Sequence, residues 1–515
     1  MNRLPEGVST QTFNTFMTHC ESVVGREKVF REPADLVAYH DAFSVLRDDP
    51  HIPSAVVAPA DVDQLQAVVI AANQHKIPLW PISKGQNLGY GGAAPVLKGA
   101  VIVDLSRLNR ILEVNEKYAY CEIEPGVGFF ELHQYLADNG IDLWMSVPGY
   151  ALGSVMGNAL ERGAGAQPYG DHAAQICGME VMLANGEIVR TGTGAMSNSA
   201  TWHTEKFGFG PSWDGMFCQS NFGIVTKIGL WLMPAPEATM SAVLSFPQEQ
   251  DLAAAIDSLY PLKRQGLIEH NIAVLSYVGL ASYTAPRSRW YQGEGVMPEA
   301  IGAKLRAELG LGWWTSFLTL YGYPEVIEAQ AKKITELLQE SIEPPAFNRW
   351  KKGDPMEFSG AGIPSARDLQ MINWRGGRGG HLGFSPLLPA DGQLAYEQYQ
   401  RARDSFHEVG LDYYGAFAIR DRSIININEI LYNRDDRDMC EGVQQLFPRL
   451  IKEAAAHGYS EYRTHIDYMD AVVDTLDHNQ HAMARLNHAV KDALDPQGIL
   501  APGKQGIWPA RYRNK

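Results

Sequence analysis

Cysteine is scarce in this chain and shows no clustering. The 515 residues include five cysteines, and no two of them form a Cys-x-x-Cys pair. Such wide spacing indicates neither a zinc site nor a disulfide framework, so we expect no metal centre. The five are Cys20, Cys121, Cys177, Cys218 and Cys440.

Basic residues are also in short supply. Lysine and arginine together number 44, against 59 aspartate and glutamate residues, which gives a formal net charge of −15 at pH 7. A protein that binds the phosphate backbone of DNA or RNA needs a basic face. The charge balance therefore argues against a nucleic-acid partner.

Long apolar runs are missing as well. No segment approaches the roughly 20 uninterrupted apolar residues that a membrane-spanning helix needs. The opening residues, "MNRLPEGVSTQTFNTFMTHC", contain no apolar core of the kind found in a signal peptide. We expect no membrane association and a cytoplasmic location.

The usual nucleotide-binding motifs are absent too. The sequence has no GxxxxGK[ST] loop and no GxGxxG segment that opens a helix, so neither a P-loop nor a Rossmann domain is indicated. Glycine is concentrated instead in "PISKGQNLGYGG", residues 81–92, directly after a predicted strand. Backbone without Cβ atoms can approach a ligand closely, and successive N–H groups can hold an anion. A simple tight turn is the alternative interpretation.

The length and local patterns predict an α+β protein with two domains. Residues 54–83 read as strand, helix and strand, with Asp61 or Asp63 as the helix cap. Asn185-Gly186 predicts a type I′ hairpin. Apolar residues at helical spacing over 324–341 predict a helix with Pro324 in its first turn. The middle region, 236–460, has the pattern of a separate domain in which helices cover a sheet.

Two further segments contain residues suited to a site. "PGYALGSVMGNALERGAGAQPYGDH", residues 148–172, is rich in small residues and suits a backbone that lies against a planar ligand. It contains Asp171, for which a helix cap is the structural alternative. "GYSEYRTHIDYMD", residues 458–470, contains the adjacent pair Tyr462 and Arg463. Most such pairs lie on ordinary surface, so this pair alone indicates little.

Taken together and in order, these motifs resemble the vanillyl-alcohol oxidase and p-cresol methylhydroxylase family of flavoproteins. The resemblance also covers "GMEVMLANGE", "QSNFGIVTKIGLWLMP" and "DPQGILAPGKQGIWP", and it runs over nearly the whole chain. It implies an FAD-binding domain made of residues 1–235 and 461–515. It also implies a cap domain, residues 236–460, in which an antiparallel sheet is covered by helices.

The resemblance implies roles for particular residues. Tyr90, Tyr462 and Arg463 would bind the substrate phenol as its phenolate, and Asp171 would act beside the flavin N5 atom, as a base or by stabilising charge. FAD would contact residues from both glycine-rich segments and from two later positions. These residues are Pro81, Ser83, Gly85, Gln86, Asn87, Leu88, Gly89, Gly153, Ser154, Gly157, Asn158, Gly170, Ile224 and Lys504.

A covalent flavin is a further implication. Several family members attach the flavin 8α carbon to a histidine, and His381 in "GGHLGFSP" matches that position. His51, in "DDPHIP", matches the family position proposed to assist the attachment by accepting the imidazole proton. Gly383 is small where some relatives have a bulky residue, which predicts a wider space for the para substituent.

The activity implied is the oxidation of para-substituted phenols, which include 4-hydroxybenzylic alcohols and 4-alkyl- or 4-allylphenols. A hydride would pass to flavin N5 and leave a quinone methide, and O₂ would reoxidise the flavin and give H₂O₂. The alternative is a 4-alkylphenol dehydrogenase or hydroxylase that passes electrons to a cytochrome c. An FAD-binding scaffold and a sugar or alcohol oxidase are further alternatives, although neither needs the phenol-binding trio. The short segment 193–210 favours a homodimer, because relatives with a longer insertion there build larger assemblies.

Overall fold

The computed structural model describes residues 4–46, 51–352 and 360–513. Its first sheet has the order β1-β2-β4-β3, and β2 and β3 both run parallel to β4. The elements of this part are α1 (Thr10–Val24), β1 (Val29–Phe30), α2 (Pro33–Leu36), β2 (Ala55–Val57), α3 (Val62–His75), β3 (Leu79–Ile82) and β4 (Val101–Asp104).

The predicted strand–helix–strand unit at the start of the chain is confirmed. Asp61 caps α3, since its carboxylate accepts a hydrogen bond from the Gln64 N–H. The apolar face of α3 packs into a core with α1 and the first sheet, and burial of each large apolar side chain contributes about 1.5–3 kcal/mol. This packing fixes the end of β3, from which the glycine-rich loop 81–92 begins.

The second sheet is antiparallel, with the order β5-β6-β10-β8-β9. A short pair, β7 with β11, lies apart from it. The elements are β5 (Ile111–Asn115), β6 (Tyr120–Ile123), α4 (Phe129–Asp138), β7 (Leu143–Trp144), α5 (Val155–Leu160), β8 (Ile176–Met182), β9 (Ile188–Arg190), α6 (Asp214–Phe217), β10 (Ile224–Trp231) and β11 (Met233–Pro234).

The predicted hairpin joins β8 to β9, but its turn differs from the prediction. A type I′ turn needs positive φ at two adjacent central residues, and here Gly186 has a φ of 85° whereas Asn185 does not have a positive φ. The Leu183 carbonyl accepts a hydrogen bond from the Gly186 N–H, and the Leu183 N–H donates to Glu187. The chain therefore turns over four residues and needs the glycine at one position only.

The third sheet is large and antiparallel, with the order β15-β12-β14-β13-β18-β19-β16 and β17 paired to β19. Its elements are β12 (Ala238–Phe246), α7 (Asp251–Arg264), β13 (Ile272–Ser276), α8 (Tyr277–Ser282), α9 (Glu299–Leu309), β14 (Trp314–Gly322), α10 (Pro324–Leu338), β15 (Asn348–Lys351), β16 (Gly379–Phe384), β17 (Leu387–Pro389), α11 (Gly392–Glu408), β18 (Gly415–Ile419), β19 (Ser423–Asn433) and α12 (Arg437–Ala456).

Helices pack on this sheet, as the helix-on-sheet pattern predicts. The predicted helix over 324–341 is α10, which begins at Pro324 and buries Ile327, Ala331, Ile334 and Leu338. These side chains share one hydrophobic core with α7, α11, α12 and the sheet. The strands of the large sheet all fall within residues 238–433. The exact domain boundaries stay a prediction, and their outer ends at 1–3 and 514–515 lie outside the described residues.

The C-terminal part returns to the first sheet. It contains α13 (Met469–Val473) and α14 (His478–Leu494), and Leu500 then pairs with Leu79 in a parallel bridge. Ile499 and Leu500 lie in the same core as α3. The two ends of the chain thus build one unit, as the resemblance implies. Within the described ranges, no helix is both long and apolar enough to cross a membrane.

A fully buried ion pair holds this return in place. The Lys491 ammonium lies 2.8 Å from the Asp495 carboxylate, and both side chains have 0% exposure. The ammonium also donates to the carbonyls of Asn221 and Leu500, while the carboxylate accepts from the Ile499 and Leu500 N–H groups. Every other partner is a backbone group, either of the segment that meets β3 or of the loop before β10. The ion pair therefore joins that segment to that loop.

We therefore predict that Lys491→Met destabilises the protein by about 3–5 kcal/mol, because the fully buried Asp495 loses its counter-ion. Urea unfolding at neutral pH measures this. Lys333→Met is the matched control, because its ion pair with Glu336 is half exposed and contributes at most about 1 kcal/mol. An equal loss of unfolding free energy in the two variants would contradict the role given to the buried ion pair.

Candidate active site

A cavity of about 350 Å³ opens between the first two sheets and the edge of the third. Both glycine-rich segments line it together with the Tyr462-Arg463 pair, although the sequence separates that pair from both segments by hundreds of residues. The predicted cofactor contacts that line the cavity are Pro81, Ser83, Gly85, Gln86, Asn87, Leu88, Gly153, Ser154, Gly157, Asn158, Ile224 and Lys504. The other two, Gly89 and Gly170, do not line it.

The loop that follows β3 is both a tight turn and a cavity wall. The Asn87 carbonyl accepts hydrogen bonds from the N–H groups of Tyr90 and Gly92, which closes the turn. Glycines 85, 89, 91 and 92 all have φ between 58° and 107°, a conformation that other residues rarely adopt. A Cβ atom at Gly89 would lie 2.5 Å from the His381 ring, so this glycine is needed for packing against the histidine.

The second small-residue segment packs directly on that loop. The Ser154 hydroxyl donates to the Ser83 hydroxyl at 2.8 Å and also accepts from the Gly157 N–H, which caps α5. A Cβ atom at Gly157 would lie 2.7 Å from the Ser83 hydroxyl oxygen. Gly170 has a local role, because a Cβ atom there would lie 2.4 Å from the Gly165 carbonyl oxygen.

The structure does not bring Asp171 to the cavity. Its side chain is 41% exposed and forms an ion pair with Arg420. Its carboxylate accepts a hydrogen bond from the Ala174 N–H, three residues further on, at the short turn Ala173–Gln175. This contact is of the kind that the capping alternative predicts, and the role of Asp171 beside the flavin stays a prediction.

The expected phenol-binding trio does come together. The Arg463 guanidinium carbon lies 4.1 Å from the centre of the Tyr90 ring, and the guanidinium donates to the Asn87 side-chain oxygen. Tyr90, Tyr462 and Arg463 all line the cavity. A Cβ atom at Gly383 would lie 2.5 Å from the Tyr90 hydroxyl. The small Gly383 therefore makes room for Tyr90, rather than opening free space as the sequence suggested.

The charges of the trio suit an anionic ligand. Burial raises the pKa of Tyr90 well above its ordinary value, and it also raises the pKa of Tyr462, which nearby Arg463 lowers only in part. Both phenols therefore stay protonated and can donate hydrogen bonds. The guanidinium is always charged, and within the described ranges it forms no ion pair with a carboxylate. Glu161, a lining acid whose charge acts on Arg463, is bound to Lys504 instead.

The predicted tether residue, His381, lies in strand β16 and is completely buried. The strand register pairs His381 with Leu431 and Gly383 with Glu429, so His381 and Glu429 are diagonal neighbours on one face. The His381 Nδ1 atom lies 2.8 Å from the Glu429 carboxylate. A carboxylate accepts a hydrogen bond there, so Nδ1 bears the hydrogen. The Nε2 atom has no hydrogen-bond partner among the described residues and keeps its lone pair.

His51 lies in a buried polar cluster, and its expected role in flavin attachment stays a prediction. Its Nδ1 atom lies 2.9 Å from the Pro95 carbonyl oxygen and its Nε2 atom 2.6 Å from Asp467. Although burial opposes charge, the Asp467 carboxylate raises the pKa of His51. Both ring nitrogens of His51 therefore face an acceptor, whereas the carboxylate that contacts His381 is that of Glu429.

Several residues of the site could not be assigned to it from the sequence. Glu429 and Tyr150 both line the cavity, and the Tyr150 ring packs edge-on against His381 at 5.8 Å. Glu161 lines it too and holds Lys504. The one available signal was an acid within the apolar run "IININEILYN", since a buried carboxylate is rarely placed in a strand without a partner.

The cavity fits FAD by its own chemistry. Gly153 presents bare backbone, and a Cβ atom there would meet only the Gln86 carbonyl, at 3.9 Å. Lys504 supplies a cation, while side chains such as Ser83 and Asn158 supply hydrogen-bonding groups. Ile224 and Leu500 supply apolar walls. This is the combination that an anionic, partly planar ligand needs.

Comparisons with known proteins agree with this fit. Residues 53–192 match the family described as FAD binding domain, and residues 371–505 match the C-terminal domain of FAD linked oxidases. The chain is 34% identical over 511 residues to the flavoprotein subunit of 4-cresol dehydrogenase (hydroxylating) from Pseudomonas putida, with 98% of this chain and 97% of that protein covered.

Two solved structures are similar over the whole chain. The crystal structure of p-cresol methylhydroxylase with substrate bound has a TM-score of 0.93 and 34% identity, with 98% of this chain and 99% of that chain covered. The isoeugenol complex of 4-ethylphenol oxidase from Gulosibacter chungangensis has a TM-score of 0.93 and 34% identity, with 99% and 100% covered. The chain therefore belongs to the vanillyl-alcohol oxidase and p-cresol methylhydroxylase family of FAD-dependent oxidoreductases.

Proposed function

We propose that this enzyme oxidises 4-alkylphenols at the benzylic carbon. The observation that carries the proposal is the Arg463 guanidinium, a cation inside the cavity that contacts Asn87 and Tyr90 and forms no ion pair with a carboxylate of the described residues. A phenolate oxygen supplies the missing negative charge. The relatives named for 4-cresol and 4-ethylphenol point to the same substrate class.

The chain's own groups would activate such a substrate by making it an anion. Arg463 and the two tyrosine hydroxyls hold the phenolate oxygen, and the negative charge raises electron density at the para position. This eases loss of a hydride from the benzylic carbon and leaves a quinone methide. FAD, when bound, supplies the two-electron acceptor for that hydride.

The free energy needed to ionise the bound phenol requires Arg463, Tyr90 and Tyr462 together. A free phenol ionises near pH 10, so ionisation near neutral pH needs about three pKa units, or roughly 4 kcal/mol, of preferential anion binding. A hydrogen bond from arginine contributes about 1.5–3 kcal/mol and a neutral hydroxyl about 1 kcal/mol. No single group is sufficient, whereas the three together are.

We predict that Arg463→Ala raises the apparent pKa of a bound, unreactive para-substituted phenol and removes most activity at neutral pH. Arg463→Lys should restore little, because a lysine lacks the planar fork that reaches two acceptors. A spectral titration of the bound phenol measures the shift. Substrates with a methylated phenol oxygen cannot ionise and should be inert, so their turnover at the rate of free phenols would contradict the proposal.

We further propose that His381 is the covalent tether of FAD and that its Nε2 atom forms the bond. The contact between Nδ1 and Glu429 supports this, because it leaves the Nε2 lone pair free as a nucleophile. Neutral imidazole is a good nucleophile toward an electrophilic flavin 8α carbon. Glu429, rather than His51, is the group positioned to hold the imidazole proton.

The wild-type protein should therefore keep its yellow colour in the pellet after acid precipitation, while His381→Ala should bind FAD and then release it into the supernatant. Glu429→Gln should slow the attachment, since an amide holds the imidazole proton less strongly. His51→Ala is the comparison variant and should attach its flavin at a rate closer to wild type. A colourless wild-type pellet would contradict the tether.

The electron acceptor is proposed to be O₂, with a c-type cytochrome as the second candidate. One relative is an oxidase, which favours O₂, whereas another is named as the flavoprotein subunit of a dehydrogenase, which favours a partner protein. We also keep the homodimer as a proposal, to be checked by light scattering.

We expect protein that has been reduced by 4-ethylphenol without oxygen to be reoxidised rapidly by air, with one H₂O₂ formed per flavin. Stopped-flow absorbance measures the rate. The parallel assay uses anaerobic buffer and a c-type cytochrome in place of oxygen, in excess over the two electrons that each reduced flavin carries. Slow reoxidation by air together with fast reoxidation by the cytochrome would replace the first candidate by the second.

A further inference from the structure

A histidine behind the cavity wall holds the side chain of Asn158. Asn158 belongs to α5 and lines the cavity, where it is half-buried. The Nδ1 atom of His172 lies 2.6 Å from the Asn158 Oδ1 atom. His172 itself is 7% exposed and does not line the cavity. The two side chains therefore form a pair of which only the asparagine reaches the ligand space.

The surroundings of His172 decide which of its ring nitrogens bears the hydrogen. Burial, opposed by the nearby charge of Asp171, lowers the pKa of His172 to about 4, so near pH 7 the imidazole is neutral and has one N–H group. The Nε2 atom is buried beside Gly165 and has no hydrogen-bond partner among the described residues. A buried N–H without an acceptor is rarer than a buried acceptor without a donor. The hydrogen therefore belongs on Nδ1, and His172 donates to Asn158.

This hydrogen bond fixes the orientation of the Asn158 amide. Only the oxygen of an amide accepts a hydrogen bond, so Oδ1 faces His172 and the Nδ2 atom lies on the other side. No residue of the described ranges accepts a hydrogen bond from Nδ2. Gly163 leaves the room for the amide, because a Cβ atom there would lie 2.0 Å from Oδ1 and 2.6 Å from Nδ2. The cavity wall thus presents an unused N–H donor.

The position of Asn158 along the cavity indicates what this donor meets. Glu161 lies three residues further on, and side chains at that spacing are neighbours on one helix face. The charge of Glu161 acts on Arg463. The Gln219 amide donates to the carbonyls of both Glu161 and Tyr462. Asn158 therefore lies on the side of the cavity that holds the phenol-binding residues.

The reacting part of FAD belongs on that side. A substrate held at Arg463 must face the isoalloxazine ring, whereas the adenine and pyrophosphate can lie elsewhere in the cavity. The ring has two carbonyl oxygens and unprotonated nitrogens that accept hydrogen bonds. Reduction by a hydride gives the ring a negative charge, so a donor at one of these atoms stabilises reduced flavin more than oxidised flavin.

We propose that His172 is a positioning residue that directs the Asn158 side-chain N–H group to an acceptor atom of the bound flavin ring. The pair thereby raises the midpoint potential of the flavin. This inference goes beyond the proposed function, because it concerns the cofactor and does not depend on which substrate is oxidised.

The test is the midpoint potential of the flavin in purified holoenzyme, measured by reductive titration against a reference dye in the absence of any phenol. His172→Phe keeps a ring beside Phe129, whose centre lies 6.1 Å from that of the His172 ring, but removes the donor. The preference of the site for reduced over oxidised flavin should fall about tenfold, which lowers the two-electron potential by about 30 mV.

Two amide variants separate the hydrogen bond from packing. His172→Asn places an N–H group near the former Nδ1 position and should recover most of the potential. His172→Gln places its amide near the former Nε2 position and should not. His133→Phe is the matched control and should have the wild-type potential, because His133 is a half-buried residue of α4 that does not line the cavity.

A double-mutant cycle tests whether His172 acts through Asn158. Asn158→Ala removes the donor itself and should lower the potential at least as much as His172→Phe. Adding His172→Phe to Asn158→Ala should then cause no further fall, since residues that act as one unit are not additive. The flavin carbonyl bands in the infrared difference spectrum between reduced and oxidised protein should also move to higher frequency in His172→Phe.

Gly163→Ala provides a second route if His172→Phe does not fold. It displaces the amide while the histidine stays in place, and it should lower the potential in the same direction. An unchanged potential in whichever of these two variants folds and binds FAD would overturn the inference. Equal losses in His172→Asn and His172→Gln would do so as well, because they would assign the effect to packing.

The remaining alternative is a donor that meets the pyrophosphate. In that case His172→Phe, combined with His381→Ala so that the flavin can dissociate, would bind FAD more weakly while the potential stayed unchanged, and the assignment to the ring would be wrong. None of these measurements uses a phenol. Failure of this inference is therefore distinguishable from failure of the proposed function, which would show as a flavin that 4-ethylphenol does not reduce.

Discussion

The organisation of this protein depends on one buried cation. The Arg463 guanidinium sits at the wall of an enclosed cavity, where an unpaired charge is costly. It contacts the Asn87 amide and the face of the Tyr90 ring, two groups that accept a cation without neutralising it. Both lie in the loop after β3, whose glycines allow the sharp turn. A single arrangement therefore includes the loop after β3, the Tyr462-Arg463 pair and the return of the C-terminal segment. It leaves the positive charge of Arg463 available to a ligand.

The large sheet supplies the other side of the site through its register. Gly383 lies opposite Glu429 and has no side chain, so the Tyr90 hydroxyl has room to reach the sheet. His381 is diagonal to Glu429, so the Glu429 carboxylate sets the tautomer of the histidine. A shift of the register by one residue would turn both side chains to the opposite face. Pairing of β16 with β19 thus determines which nitrogen of the His381 imidazole bears the hydrogen, as well as where the ring lies.

Local sequence patterns predicted the regular elements well, because those depend on near neighbours. The Asp61 cap, the apolar stripe of α3 and the start of α10 at Pro324 all follow from residues within one or two helical turns. The Tyr90–Arg463 contact has no such local signal and came from family resemblance. The same resemblance assigned Asp171 to the site, and that role stays a prediction. For Glu429 the sequence offered only the weak signal of an acid in an apolar run, since long-range packing decides which acids face a cavity.

The bridge between Leu79 and Leu500 also determines when the cofactor site can exist during synthesis. Nearly all of the chain separates the two strands of that bridge, and Asn87 is separated from Arg463 by 376 residues. Contacts of such long sequence separation form late, because the chain between them must first be ordered. The first and second sheets emerge from the ribosome long before Lys504, and their cavity-facing edge has no covering segment during that interval. The cavity wall is thus complete only after the segment that contains Lys504 has been synthesised and has joined the first sheet.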